Sequence, residues 1–217
     1  ERAFSGCNNL TDITVPASVE NIEKEVFSGC SSLTNIKVDS ANTTYMSEDG
    51  ILYTKDDKEL KYYPEGKTEE TFIIPDGVMS IGAEAFYNCD NLKEITIPIS
   101  VTSIEAYAFK NCRSITSITI PVGSAKIDER AFSDSWYYIE NLMVSEGVTN
   151  IGDGVFDNWG NVQSITIPSS VESIGEKAFS ECEHLKEINV SSENKAYVTE
   201  DGILYSKDLS VLKYYPD

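Results

Sequence analysis

The chain has 217 residues, 41% of them apolar and 24% charged, enough hydrophobic side chains for a continuous core and an argument against wholesale disorder. Its 36 acidic and 17 basic side chains give a net charge of −19, which repels phosphate backbones and anionic headgroups over about 8 Å at physiological salt. That argues against nucleic acid and membrane surfaces as partners, and no apolar run reaches the roughly 20 residues that a membrane-spanning helix needs.

Taken in order, the chain repeats itself. The first unit enters part-way through, with Phe4, Cys7, Leu10, Ile13 and Val15-Pro16, so the array is expected to continue upstream. The second unit places Val19, Ile22, Phe27, Cys30, Leu33, Ile36 and Val38 in the same order. Seven of the eight phenylalanines (Phe4, Phe27, Phe86, Phe109, Phe132, Phe156 and Phe179) share one column, with a usual step of 23 residues and one step of 24 between Phe132 and Phe156. A fixed period in the twenties predicts a solenoid, whose units bury their apolar faces only against their neighbours. Within a unit, Leu92-x-x-Ile95-x-Ile97-Pro98 reads as a short strand ended by proline. Val101-x-x-Ile104 is a second extended piece, and 105–112 is predicted as a compact helical or 3₁₀ turn. Pro16, Pro75, Pro98, Pro121 and Pro168 mark the corner after each strand, and Gly82 and Gly175 a later reversal.

Each of the five cysteines, Cys7, Cys30, Cys89, Cys112 and Cys182, lies three residues after a column phenylalanine, where the other units hold Ser135 and Trp159. A position that accepts Cys, Ser or Trp is a packing site, which predicts a ladder of free buried thiols. Disulfides between Cys7 and Cys30, or Cys89 and Cys112, are the other reading, since coils stacked about 5 Å apart would bring them within reach. One cysteine per unit makes a row rather than a tetrahedron, so no metal site is expected.

The unit I-P-x-S-V-x-x-I-G-x-x-A-F-x-x-C-x-x-L-x-x-I resembles the leucine-rich repeat of the BspA-like, or Treponema pallidum-type, family of bacterial surface proteins, and about seven units carry it. The resemblance implies an α/β solenoid: a right-handed leucine-rich-repeat-like array of about seven 23-residue units, with parallel strands on the concave face and short helical turns on the convex side. It also implies adhesion to host or neighbouring cells, and an extracellular or cell-surface location. The fifth unit departs from the pattern, with Ser135-Trp136-Tyr137-Tyr138 at the cysteine region and one extra residue before Leu142.

Residues 38–64 and 190–216 align without a gap at an offset of 152, so two copies of one insertion interrupt the array, at about 39–73 and 191–217. Asp49-Gly50 and Asp201-Gly202 are hairpin signals, and each copy is predicted to form a small three-stranded meander projecting from the solenoid. One solenoid domain is expected over 1–217, as a piece of a longer chain.

Nothing announces a reaction. His184 is the only histidine, which removes the usual His-dependent triads and multi-histidine metal centres. It is read as a polar surface residue. The acidic pairs Glu48-Asp49, Glu69-Glu70 and Glu200-Asp201 read as solvated turn charges, and neither a calcium loop nor a phosphate loop is present. No cofactor, metal or catalytic residue is therefore expected, and the chain is read as a non-enzyme. The candidate ligand-binding residues are those between the buried positions of the strands: Glu94, Thr96, Ser117, Thr119, Asn141, Met143, Ser164 and Thr166. A hydroxyl-rich sheet face suits many modest hydrogen bonds to a protein or glycan, or it is a merely soluble face. Trp136, Tyr137 and Tyr138 are the aromatic alternative, against packing that compensates for the missing cysteine. The expected function is a secreted or surface interaction module; the alternatives are a spacer presenting another domain and, third, a hydrolase with a carboxylate-lined cleft. Oligomeric state is open.

Overall fold

The computed structural model describes residues 2–56, 58–121, 126–128, 131–132, 135–152, 156, 159–180 and 182–215. Along the chain the strands are β1 (Asp12–Val15), β2 (Asn35–Val38), β3 (Tyr45–Glu48), β4 (Ile51–Thr54), β5 (Glu59–Tyr62), β6 (Thr71–Ile73), β7 (Ser80–Ile81), β8 (Glu94–Thr96), β9 (Ser103–Ile104) and β10 (Ser117–Ile120). They continue as β11 (Lys126–Ile127), β12 (Asn141–Val144), β13 (Asn150–Ile151), β14 (Ser164–Ile167), β15 (Ser173–Ile174), β16 (Glu187–Val190), β17 (Tyr197–Glu200), β18 (Ile203–Ser206) and β19 (Leu212–Tyr214).

Each unit contributes one strand to a main parallel sheet, ordered β16-β14-β12-β10-β8-β6, and β1 pairs in parallel with β2 in the same way. The second extended pieces stack likewise, β5-β7-β9-β11 on one stretch and β13-β15 on another. The result is a β-solenoid of about seven stacked coils. Because the period is constant, register is constant: Ser117 faces Glu94 23 residues back. Asn141 faces Ser117 across the 24-residue step, its extra residue absorbed by a 3₁₀ turn at Trp136–Tyr138.

The expected α/β class is corrected by the turn segments. Among the described residues there is no α-helix, and that 3₁₀ turn is the sole helical element. The reason lies in where the backbone donors go. Phe86 N–H donates to Ala108 O and Phe109 N–H to Ala131 O, both 2.7 Å away in the next coil, so these donors are unavailable to an i→i−4 ladder. Glu25, Glu84 and Tyr107, two residues before column phenylalanines, have φ near +60°, which breaks any helical run. The segments are chains of tight turns sewn laterally to their neighbours.

The core is the stack of columns. Phe86, Phe109 and Phe132 are fully buried with ring centroids 4.8 Å apart, near the strand spacing. The cysteine column adds a hydrogen bond that the sequence pattern did not declare. Cys30 Sγ donates to Phe4 O at 3.1 Å, Cys112 Sγ to Phe86 O at 2.9 Å and Cys182 Sγ to Phe156 O at 3.0 Å, each reaching 26 residues back. Ser135 Oγ makes the same bond to Phe109 O. Cys and Ser therefore alternate because both are small donors, whereas Trp159 fills its place by packing on Phe132 and Phe156. All five cysteines are free thiols; Cys7 is exposed and the other four are buried. Burial pushes the Cys112 thiol up to about 12 and the Cys89 thiol well above its ordinary value. Since the thiolate is the reactive form, a thiol reagent at pH 8 is expected to modify Cys7 alone in the native protein and all five residues after unfolding. Mass spectrometry after a short pulse checks this; rapid native labelling at Cys89 or Cys112 would contradict it.

The insertions are built into the array instead of projecting from it. Asp49 and Gly50 (φ 50° and 78°) form the two-residue turn of the β3–β4 hairpin, and Asp201 and Gly202 (φ 52° and 80°) that of β17–β18. The third strand of the first meander, β5, then pairs in parallel with β7 of the next coil. Leu52 and Leu60 are fully buried, and Tyr63 joins the phenylalanine column, 5.2 Å from Phe86. A free-standing meander would leave those side chains wet; seating it as a coil buries them.

Candidate functional site: the outward face of the parallel sheet

Period-2 alternation divides each main-sheet strand. Ile95, Ile97, Ile118, Ile120, Leu142, Val144, Ile165 and Ile167 point inward and are buried. The residues between them therefore share the opposite face. Parallel register aligns them into two rows: Glu94, Ser117, Asn141, Ser164 and Glu187 in one; Thr96, Thr119, Met143, Thr166 and Asn189 in the other. All eight candidate residues, Glu94, Thr96, Ser117, Thr119, Asn141, Met143, Ser164 and Thr166, are thus brought onto one surface, exposed or half-exposed.

The rows interact along the stack. Ser164 Oγ donates to Asn141 Oδ1 at 2.7 Å, and in β1–β2 Asn35 Nδ2 donates to Asp12 Oδ1 at 2.9 Å. One residue before the strands, Lys93 Nζ pairs with Glu70 at 2.6 Å and Lys186 Nζ donates to Gln163 at 3.2 Å. These bonds hold polar side chains at fixed spacing while leaving most of their hydrogen-bonding capacity toward solvent. Hydroxyl and amide groups both donate and accept, so the surface suits a ligand with mixed polar groups better than one bearing concentrated charge.

Of the aromatic alternative, Tyr137 is 75% exposed and Tyr138 41%. They precede β12 directly, with Asn161 Nδ2 donating to Tyr137 O at 3.2 Å. The side chain of Trp136 lies outside the described residues. Sequence reasoning missed Ile73, which pairs with Thr96 in register and extends the second row at the β6 end with 72% of its surface exposed. Its signal was T-F-I-I-P at 71–75, which matches E-I-T-I-P at 94–98 but begins inside the span of about 39–73 assigned to the insertion. His184 is exposed and its ring Nδ1 lies against Gly160 O. Among the described residues, no group of three or more His, Cys, Asp or Glu side chains could hold a metal ion, and no helix is long and apolar enough to cross a membrane.

The model of the BspA type leucine rich repeat region matches in six copies over residues 1–55 and 62–186. The chain belongs to this family. A solved structure similar to this member of the BspA-type family is a leucine rich cell surface protein from Faecalibacterium prausnitzii, 34% identical, with a TM-score of 0.60 over 88% of this chain and 50% of that one. A leucine-rich repeat protein from Eubacterium ventriosum is 24% identical, with a TM-score of 0.54 over 84% of this chain and 55% of that one. The pneumococcal vaccine antigen PcpA is 20% identical, with a TM-score of 0.50 over 86% of this chain and 40% of that one. The last two support the fold alone. This BspA-type chain thus spans about half the length of the first two chains and less of the third. No curated protein matches it.

Proposed function

We propose that this BspA-type array is a non-catalytic module, displayed at the cell surface or outside the cell, that binds a protein or glycan on a host or neighbouring cell. The outward face of the main sheet is the binding surface. The observation that carries this reading is the register-aligned pair of polar rows from β8 to β16, a broad uncovered face whose side chains are spaced by the coil repeat. The family and the 34% identical cell surface protein support the location. Binding would rest on many modest hydrogen bonds, with Tyr137 and Tyr138 as aromatic anchors at its margin.

The test is a pair of binding screens at physiological salt, against immobilised extracellular-matrix proteins and a glycan array, using the chain and a Thr119→Lys/Thr166→Lys variant. Both positions are on the outward face, so the variant is expected to fold. A ligand retained by the chain and weakened at least ten-fold by the variant is the expected result. Equal retention of every ligand by both would move the site elsewhere, and no ligand in either screen would overturn the adhesin reading. It would favour a spacer that presents another domain.

A further inference from the structure

The coil that carries Tyr63 differs from the others at three core columns, with Gly66 at the cysteine position and polar residues at the other two. Six residues after the column aromatic, other coils hold Leu10, Leu33, Leu92, Ile115, Val162 or Leu185; this one holds Glu69. The column phenylalanine itself becomes Tyr63, which is 2% exposed. Its hydroxyl is the one buried side-chain oxygen or nitrogen among the described residues without a hydrogen-bond partner. Burying such a group unpaired is unfavourable, and a phenylalanine in the same place would avoid it.

The main sheet is split at the same coil. The hairpin tip at Asp49 and Gly50 is wedged beside β2, where Gly50 O accepts from Ile36 N at 2.9 Å. A Cβ on Gly50 would meet Asn35 and Thr34 within 3.0 Å, so only glycine lets the tip approach this closely. Among the described residues β6 has a strand partner on its β8 side alone. Between the tip and the loop leading into β6 opens a cleft of about 440 Å³, lined by Asp49, Ile51, Tyr63, Lys67, Glu69 and Phe72. That volume lies within the range of small-molecule sites. Lys67 Nζ sits 3.0 Å from Glu69 Oε1 and 5.7 Å from the Tyr63 ring centroid.

We propose that this cleft binds a neutral saccharide unit. Two carboxylates against one ammonium disfavour an anionic guest. Lys67 already pairs with Glu69 and lies over the Tyr63 ring, filling the place that a cationic guest would take. What fits is a neutral ring bearing many hydroxyls. Those hydroxyls donate to Asp49 and Glu69 and accept from Lys67, and the C–H face of the ring rests on the half-buried Phe72. The second meander repeats Asp201, Ile203 and Tyr215 at the 152-residue offset.

The test uses an array carrying neutral mono- to tetrasaccharides beside sialylated glycans, sulfated glycans and oligolysine. Tyr63→Phe and Glu69→Leu restore the residue types of other coils, and Asp49→Asn keeps a residue that tolerates positive φ at the exposed tip. The chain is expected to retain at least one neutral saccharide. The Tyr63→Phe/Glu69→Leu variant should bind it at least ten-fold more weakly with no loss of melting temperature, Asp49→Asn should weaken it several-fold, and Thr119→Lys/Thr166→Lys should leave it unchanged. The proposal is overturned by retention of no neutral saccharide, by retention only of anionic glycans or oligolysine, by unchanged binding in the cleft variants, or by loss in the sheet-face variant.

Discussion

Replacing Asn42 with alanine is expected to destabilise the protein by about 3–5 kcal/mol, since each buried polar group left without a partner costs about 1–3 kcal/mol and water restores some of them. Asn42 is 1% exposed and makes four hydrogen bonds with one amide. Its Nδ2 donates to Pro16 O and Val19 O at 2.9 Å, and its Oδ1 accepts from Thr44 N at 2.9 Å and Tyr45 N at 2.7 Å. The side chain thus ties the corner after β1 to the entrance of the first meander. Beside it, the Tyr45 hydroxyl accepts from Ile22 N at 2.8 Å, closing the same junction. Alanine would leave two carbonyls and two N–H groups facing each other across a void.

Asn194 repeats the arrangement, donating to Pro168 O and Val171 O and accepting from Ala196 N and Tyr197 N. The Tyr197 hydroxyl likewise accepts from Ile174 N at 3.0 Å. The readout should nevertheless differ. Solenoid stability is close to a sum of nearest-neighbour terms, and among the described residues β17–β19 form a three-stranded sheet of their own, whereas β3–β5 are continuous with β7, β9 and β11. Asn194→Ala is therefore expected to release hydrogen-exchange protection in β17–β19 while the coils before β14 stay protected. Asn42→Ala, held between covered coils, should lower the main urea transition. A loss below about 1 kcal/mol for Asn42→Ala would refute the four-bond account.

These junctions show what the sequence carried and what it did not. The phenylalanine column, the proline corners and the outward rows were legible because a constant period fixes register: once Phe86 and Phe109 are 23 residues apart, Glu94 must face Ser117. The helical turns were misread because a short apolar run such as Ala108-Phe109 is compatible with a helix or a turn chain. What decides is the lateral bond from Phe86 N to Ala108 O, a tertiary contact with no local signature. The coil of Tyr63 was hidden for a chemical reason. Two of its diagnostic positions are polar, Tyr63 for Phe and Glu69 for Leu, and Gly66 replaces the cysteine where a Cβ would lie 2.6 Å from Ser32 C. The candidate rows were thus visible from the pattern, whereas the cleft arises where the pattern fails.

The same irregular coil makes stability depend on pH. Glu65 is 8% exposed and accepts from Gly29 N at 2.8 Å. Burial raises its pKa to about 7, partly opposed by the Gly29 N–H and a hydrogen bond with Asn88, while nearby Asp90 adds to the rise. It bridges the second unit to the third, so folding must either protonate this carboxyl or bury its charge. A carboxyl whose pKa is higher in the folded than in the unfolded chain binds its proton more tightly when folded. Its favourable contribution is fully present below the unfolded value of 4.5 and is lost as pH rises through about 7. The span corresponds to a loss of about 3 kcal/mol, at 1.36 kcal/mol per pKa unit. The net charge of −19 adds repulsion in the same direction, so the comparison must be made against a variant at each pH. Glu65→Gln keeps an oxygen for Gly29 N–H and cannot ionise. It is expected to match the unsubstituted chain near pH 5 and to exceed it by up to about 3 kcal/mol at pH 8 in urea unfolding. A stability difference that does not change between those two pH values would place the charge of Glu65 in contact with water.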